Sequence, residues 1–444
     1  MPKQRSQNNR ANKKNANTKP GKTFSRVLGT KDVTVKDFDN WEIVKKNIVD
    51  FLHRYGFKQI ETPILEKAEL FRNSFRNNDP KELYNFVSDK KEELVLRPEL
   101  TQGILRAYQE YNLEEEMSHP VRLFSVGPVF RQEKLQSGRY RQFNQVNAEV
   151  IGEDKPVSEV LLMVTAYNMF KDLGLDVEVQ INSLGDKECQ KEYKIKLDAF
   201  YKERGKRSKL CNSCKRLLDK DPLALLDCKE KECMDIRKNA PQIADFLSEN
   251  SREHFSKVLE YLDELDVRYN FDPYLVRGLS YYNDTVFEIW PLDEKENAQS
   301  RYSLGGGGRY DNLVEKLGNK ATPAVGMAIG LERALIKIKE QGLILFLKPY
   351  NLIFIAQISE QAKIRSLQIF EELRKEGYNV RHSFATNSLK TQLEEAKDLD
   401  SRLSLILGKK ELNDDTILLR DMDSGVQEII PQKKIKSDIN KKLK

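Results

Sequence analysis

Residues 121–130, VRLFSVGPVF, and 144–151, NQVNAEVI, are two strand-length runs joined through a hairpin-type loop. That connection favours antiparallel pairing, since parallel neighbours need a long crossover. Further strand-like runs lie at 93–96, 177–181, 284–290 and 301–304. Ahead of them, Ile43, Val44, Ile48, Phe51 and Leu52 recur at helical spacing over 41–55, and Gly56 stops the run. Residues 58–65, KQIETPIL, alternate as a strand does, with Pro63 limiting that strand to an edge or an interface. The implied core is a mixed antiparallel sheet of six or seven strands flanked by helices, an α+β class.

Two interruptions divide the chain. Between about 186 and 262 the pattern changes to short charged helical segments carrying a cysteine cluster, which reads as a helical insertion. After Gly342 strands at 351–357, 379–383 and 403–407 alternate with helices at 360–376 and 389–399, the rhythm of a small α/β domain with a mostly parallel sheet. At 444 residues the chain is too long for one ordinary core. The expected parts are a tail over 1–28, a sheet domain over 29–341 holding the insertion, and an α/β domain over 349–444, with no internal repeat.

Charge narrows the partners. The chain carries +6, but the segment from Met1 to Thr30 holds eight Lys and Arg and no acid, which leaves −2 for the rest. Affinity for nucleic acid must therefore come from local patches. The tail, Asn- and Lys-rich and nearly free of apolar residues, cannot repay the entropy of ordering and is expected to be disordered. It is either a solvated tail or a weak electrostatic handle for RNA. Gly21-Lys22-Thr23 imitates the end of a phosphate loop, but Ala16 stands where the first glycine belongs and no strand precedes it. The basic start has no apolar stretch or cleavage site behind it, and no run is long enough to cross a bilayer, so the expected location is the cytoplasm, with no membrane partner.

The segment 130–149, FRQEKLQSGRYRQFNQVNAE, concentrates cations and planar groups on one hairpin. Arg131 and Arg139 offer donor forks matched to phosphate, Glu133 can accept from an adenine amino group, and Phe143 can stack on a purine. A solvated surface hairpin is the plain alternative. Three other segments fit one nucleotide site: the glycine run Gly305 to Gly308, which lets backbone approach a ligand, PAVGMAIGLER, a strand entering a helix with Arg333 in its first turn, and YLVRGLSYY, with Arg277 before Gly278.

Together these segments resemble a known family. The FRxE hairpin with GRYRQF, LRPELT at 96–101 and GLER at 330–333 resemble the motifs of class II aminoacyl-tRNA synthetases. LVRGLSYY at 275–282 with GGRYD at 307–311 resembles the signature of the histidyl-tRNA synthetase family, and the likeness runs from about Thr30 to the end. The resemblance implies a class II synthetase antiparallel sheet flanked by helices, a helical insertion, and a C-terminal α/β anticodon-binding domain. It implies an ATP-dependent ligase that forms histidyl-adenylate with Mg²⁺ and passes histidine to the 3′ end of tRNA(His). The first long helix and KQIETPIL are similar to the family's dimer motif, so a homodimer is implied.

Residue roles follow by position. Arg131 would meet the ATP α-phosphate, Arg333 the γ-phosphate, and Arg277 would add a cation near the reacting carboxylate of L-histidine. Glu99, Thr101 and Gln145 would hold the α-ammonium, with Leu100 beside them. Glu149 and Tyr282 would grip the imidazole, with Tyr281 close by. Glu133, Arg139, Phe143 and Gly307 would complete the ATP site, and Gln136 would help read the tRNA acceptor end. These residue types suit such roles, because an ammonium needs carboxylate and carbonyl acceptors, and a ring with two different nitrogens needs two placed partners. Adenylate formation needs no protein nucleophile, only position and neutralised charge. The chain departs from the family pattern at Ser280, where Asp is common, at Leu135, where Pro is usual, and at Leu100, where bacterial members often have Gly.

Cys211, Cys214, Cys228 and Cys233 have the spacing of a structural tetrahedral Zn²⁺ set, or are free thiols in a helical insertion. Cys189 lies outside the set, and His53, His119, His254 and His382 form no cluster. Two other kinds of protein share such a fold. One is a silent regulatory subunit of a phosphoribosyltransferase, which would lack the Arg set and the terminal domain. The other is a tRNA-sensing module of a stress kinase, which can lose the pocket.

Overall fold

The computed structural model describes residues 24–72, 83–132, 138–292, 302–318, 320–343, 351–383 and 387–443, and it falls into two units, Met1–Ile344 and Leu345–Lys444. Of the disordered tail expected over 1–28, residues 1–23 lie outside the described residues, as do Glu133 and Gln136, while residues 24–28 are described and form neither helix nor strand.

Helix α1 (Val35–Arg54) buries Ile43, Val44, Ile48, Phe51 and Leu52, the stripe that the spacing predicts. It starts six residues before Trp41 because its first turns carry no buried stripe to reveal them. Val35 and Phe38 are exposed there, and Asp37, favoured near a helix N-terminus, pairs with Lys339. KQIETPIL does not form one strand. Only β1 (Lys58–Gln59) joins the main sheet, while Leu65 begins β2 (Leu65–Lys67) of a small sheet with β3 (Asn85–Val87) and β4 (Glu93–Leu96). Pro63 has no N–H for a ladder, and the buried Arg97 fills the gap by donating to the Thr62 carbonyl at 2.6 Å.

Helices α2 (Thr101–Glu110) and α3 (Leu113–Glu116) lead into the long hairpin of β5 (Val121–Phe130) and β6 (Gln142–Ile151), followed by α4 (Val157–Asp172) and β7 (Val177–Ser183). The insertion is helical, with α5 (Lys187–Lys202), α6 (Lys206–Lys209), α7 (Asn212–Leu217), α8 (Lys231–Arg237) and α9 (Glu249–Glu264). The sheet then resumes with β8 (Tyr269–Phe271), β9 (Asn283–Pro291), β10 (Gly305–Arg309), α10 (Asp311–Lys316), β11 (Ala324–Gly330) and α11 (Leu331–Glu340). Strand order is β1-β5-β6-β11-β10-β9-β7-β8, eight strands in place of the expected six or seven. The pairs from β5 through β7 are antiparallel, and only the edge pairs β1/β5 and β7/β8 are parallel.

The glycine run overturns one expectation. The strand expected at 301–304 lies instead at Gly305–Arg309, where the glycines themselves pair on both sides, Gly306 opposite Ala328 on β11 and opposite Glu288 on β9. Local preference for loop is overridden because a ladder on each side, the one to β9 shifting register between Gly308 and Arg309, pairs the backbone.

In the second unit β12 (Ile353–Gln357), α12 (Glu360–Lys375), β13 (Val380–His382), α13 (Leu389–Asp398) and β14 (Leu403–Leu407) form the expected alternation. The sheet is mixed rather than mostly parallel. After α14 (Lys409–Asn413), β15 (Thr416–Asp421) and β16 (Gln427–Pro431) add an antiparallel hairpin, and α15 (Ile435–Lys442) ends the unit. The hairpin alternates only weakly, with Ile430 the sole fully buried residue along β16, so its period does not stand out in the sequence.

Candidate active site

Side chains two apart on a strand share a face, and paired residues of antiparallel strands share it too. On β6 this rule places Gln145, Asn147 and Glu149 together. Across the register Gly326, Ala328 and Gly330 of β11 lie opposite them, and Gly306 and Gly308 of β10 come next. One face of the middle of the sheet thus carries polar groups flanked by residues with little or no side chain.

Glu149 is fully buried, 0% exposed. Its carboxylate accepts from the Thr101 hydroxyl at 2.7 Å and from the Tyr310 hydroxyl, and Thr101 Oγ1 in turn accepts from Asn147 Nδ2 at 2.9 Å. The room for this carboxylate comes from Gly326, where a Cβ would lie 1.6 Å from Glu149 Oε2. Burial pushes the Glu149 carboxyl up to about 8, against the pull of the two hydroxyls. Glu99 sits at the start of α2, also buried, and accepts from the Thr101 and Gln102 amides at 2.6 and 2.9 Å. Burial raises its pKa, and those amides and the nearby Arg131 charge oppose the rise. Gln145 Oε1 and Asn147 Oδ1 are buried with no hydrogen-bond partner among the described residues. Acceptors left so cost free energy, and they suit a site built to receive a donor-bearing ligand.

Three tyrosines close the pocket. The rings of Tyr281 and Tyr282 lie 4.7 Å apart, and Tyr310 meets Tyr281 edge-on at 5.6 Å and Tyr282 at 6.3 Å. Burial raises the pKa of all three phenols, so they are neutral donors. Beside them Arg277 Nη1 donates to Glu288 Oε1, and Trp290 Nε1 donates to Glu288 Oε2 at 3.0 Å. A Cβ at Gly306 would lie 2.7 Å from Arg277 Nη1, so the strand needs glycine there to let the guanidinium approach.

Arg131 follows the last residue of β5, and Arg333 occupies the first turn of α11, just past β11. Gly127 and Gly330 both pair with Gln145, so these two strands leave the sheet at the same end, one on each side of β6. Arg131 Nε donates to the Pro98 carbonyl at 2.7 Å, and its guanidinium stands 5.3 Å from the Phe143 ring centre. Arg333 Nε donates to the Gly138 carbonyl at 3.1 Å and Nη1 to the Ser303 carbonyl at 2.8 Å, with Tyr302 beneath it. Glu332 fixes the start of this helix by accepting from the Asn144 amide at 2.9 Å. Two guanidiniums, both tied to backbone carbonyls, therefore stand where the strands flanking β6 leave the sheet, and a third lies beside Gly306. Such a set can neutralise phosphate oxygens next to an amino acid whose ammonium and side chain are held by buried acceptors.

Three further sequence-derived positions lie outside this polar cluster. The Leu100 side chain is fully buried in the apolar cluster with Ile104, Leu105, Tyr281 and Tyr282, so it supports the pocket wall from behind. Arg139 is exposed, and Gly307 is buried within β10 opposite Met327. Tyr310, Asn147 and Gly326 were not singled out by sequence reasoning, although GGRYD and PAVGMAIG both invited inspection. What makes them part of the site is cross-strand register, which no local pattern contains.

The comparisons with known proteins agree. A family model described as histidyl-tRNA synthetase matches residues 29–334, and one described as anticodon binding domain matches residues 352–442. The histidine–tRNA ligase of Thermosipho melanesiensis is 39% identical over 408 residues, 91% of this chain and 95% of that protein. That of Dehalococcoides mccartyi is 37% identical over 424 residues, 95% of this chain and 100% of the relative. Among solved structures, apo histidyl-tRNA synthetase of S. aureus superposes with a TM-score of 0.79 at 29% identity, covering 94% of this chain and 100% of that one.

Proposed function

Since the chain belongs to the histidyl-tRNA synthetase family, we propose that the polar face of its eight-stranded sheet is where L-histidine and ATP react. The chain is an ATP-dependent histidine–tRNA ligase, and its C-terminal unit is an anticodon-binding domain. The family works with ATP as its Mg²⁺ complex. The observation that carries the proposal is the buried Glu149, bonded by Thr101 and Tyr310 inside a wall of tyrosines.

In this reading Glu149 and Tyr282 face the two imidazole nitrogens, while Glu99, Thr101 and the Gln145 carbonyl receive the α-ammonium. Arg277 lies beside the carboxylate that attacks the α-phosphorus of ATP. Arg131 and Arg333 take up the charge of the α- and γ-phosphates, and Phe143 stacks on the adenine, with Glu133, Arg139 and Gly307 completing the nucleotide site. Bond formation between the carboxylate oxygen and the α-phosphorus expels pyrophosphate, and the step needs only alignment and charge neutralisation. The terminal ribose hydroxyl of tRNA(His), guided by Gln136, then displaces AMP. Discrimination is strong because another amino acid would leave the buried acceptors unpaired.

Residues 29–341 are the catalytic part and 349–444 the tRNA-reading part of this proposal. A cytoplasmic homodimer completes it. Among the described residues no helix is long and apolar enough to cross a membrane. Histidine-dependent exchange of labelled pyrophosphate into ATP tests the reaction. The expected result is exchange with histidine alone among the amino acids, and equal exchange with other amino acids would overturn it. Sedimentation as a monomer at micromolar concentration would contradict the dimer.

A further inference from the structure

The helical insertion holds a cluster that the reaction at the sheet does not use. Cys211 caps α7, Cys214 lies within it, Cys228 follows Asp227, and Cys233 lies in α8. Their four sulfurs all fall within 4.8 Å of one another. Cys211 Sγ and Cys228 Sγ are 3.9 Å apart. A disulfide requires about 2.05 Å. Four thiolates at about 2.3 Å from a tetrahedral Zn²⁺ would be separated by edges of about 3.8 Å. The observed separation is close to the second figure. The backbone also turns toward the cluster, since the Cys211 amide donates to Cys233 Sγ at 3.3 Å and the Cys214 amide to Cys211 Sγ at 3.4 Å.

Simple packing does not account for this convergence, because apolar thiols in a core need not face one another. Nor can the local helices hold it alone. Helices α6, α7 and α8 have four, six and seven residues, well below the length at which an isolated helix persists in water. A closed sphere of four thiolates without water or histidine is the structural type of site, and zinc is the metal whose ligand preference fits it. Lys209, Lys215, Arg216, Lys229 and Lys231 flank the four cysteines in sequence and offset the negative charge of such a centre.

The knot is connected to the pocket. Arg237, four residues past Cys233, donates to the Leu226 carbonyl and stands 5.7 Å from the Tyr274 ring centre. The Tyr274 hydroxyl donates to the carbonyls of Lys238 at 3.1 Å and Ala240 at 3.3 Å. Leu223, Leu225, Leu226, Cys214 and Cys233 share one apolar cluster with Leu275, Val276, Tyr281 and Tyr282. The segment that brings Arg277 and the two tyrosines to the sheet is thus packed against the chain folded around the four sulfurs.

We propose that Cys211, Cys214, Cys228 and Cys233 bind one structural Zn²⁺, and that this site positions the 274–282 segment for histidine binding. The second half rests on the roles assigned above to Arg277, Tyr281 and Tyr282. The first half does not, and is tested without the ligation reaction. Full-length protein purified without metal-affinity resin, dialysed and analysed for metal should hold about one zinc per chain. Exchange with Co²⁺ should give the sulfur-to-cobalt charge-transfer bands and tetrahedral d–d bands of a four-thiolate site. Well under one zinc per chain after incubation with Zn²⁺ under reducing conditions, together with the absence of those bands, would overturn the metal site. Cys228→Ser should lose the zinc, while Cys189→Ser, outside the set, should keep it. For positioning, the KM for histidine in Cys228→Ser should rise on the order of tenfold, with the KM for ATP little changed. Loss of zinc with an unaltered KM for histidine would overturn positioning and leave the metal site standing. If Cys228→Ser does not fold, the same KM split measured on wild-type chain stripped of zinc decides between these outcomes.

Discussion

The two large sheets of this chain are built to opposite rules. In the second unit Ile353, Phe354, Ile355 and Ala356 on β12 and Leu403, Leu405 and Leu407 on β14 are wholly buried, the near-continuous apolar run of strands covered on both faces. On β12 one buried polar pair is satisfied, the Gln357 amide donating to Gln392 Oε1 at 2.9 Å and Gln392 Nε2 to the Gln357 carbonyl at 2.6 Å, while Ser366 Oγ and Arg420 Nε, away from the strand centres, have no partner among the described residues. In the first unit β6 buries Gln145, Asn147 and Glu149 on one face and leaves Gln145 Oε1 and Asn147 Oδ1 without partners among the described residues. Each unmet acceptor costs about 1–3 kcal/mol. A region kept for stability hides apolar area, whereas a region kept for recognition tolerates a standing penalty that its ligand relieves.

That contrast can be broken by substitution. Leu405→Ala, in the centre of β14, should lower stability by about 2–5 kcal/mol in urea unfolding while leaving histidine-dependent exchange near its normal rate under folding conditions. Equal losses of stability and exchange would erase the distinction between the two sheets. Gly326→Ala adds one methyl group in the first sheet, in the space taken by Glu149 Oε2. Displacing that carboxylate should reduce kcat/KM for histidine by at least about 100-fold, or about 2.7 kcal/mol, with the KM for ATP little changed. Wild-type histidine kinetics in this variant would remove Glu149 from the pocket.

A dependence on pH gives the third test, and per pH unit its change is the smallest of the three. The Glu149 carboxyl is raised to about 8 in the folded chain from an ordinary 4.5. Between those values the folded state holds the proton more tightly, so stability without histidine falls as pH rises, by at most about 1.4 kcal/mol per pH unit. Glu149→Gln cannot titrate. The stability of wild type minus that of the variant, from unfolding curves at about pH 5, 6, 7 and 8, should therefore decline steadily. A constant difference would mean that the buried carboxyl does not carry the shift.

The sequence by itself determined the long hairpin of Val121–Phe130 and Gln142–Ile151, the buried stripe of α1, the strand-to-helix junction at Gly330 and the alternation of the C-terminal unit. Each rests on a period, a breaker or a short motif, and those are written along the chain. Tertiary structure alone decided that four glycines form an inner strand, that KQIETPIL divides between two sheets, and that β15 and β16 complete the second sheet. It also decided that Gly326 makes room for Glu149, that Tyr310 binds it, and that four sulfurs spread from Cys211 to Cys233 converge. The physical reason is that pairing register and packing join residues far apart in the chain, and a local pattern carries no information about which distant strand will lie opposite.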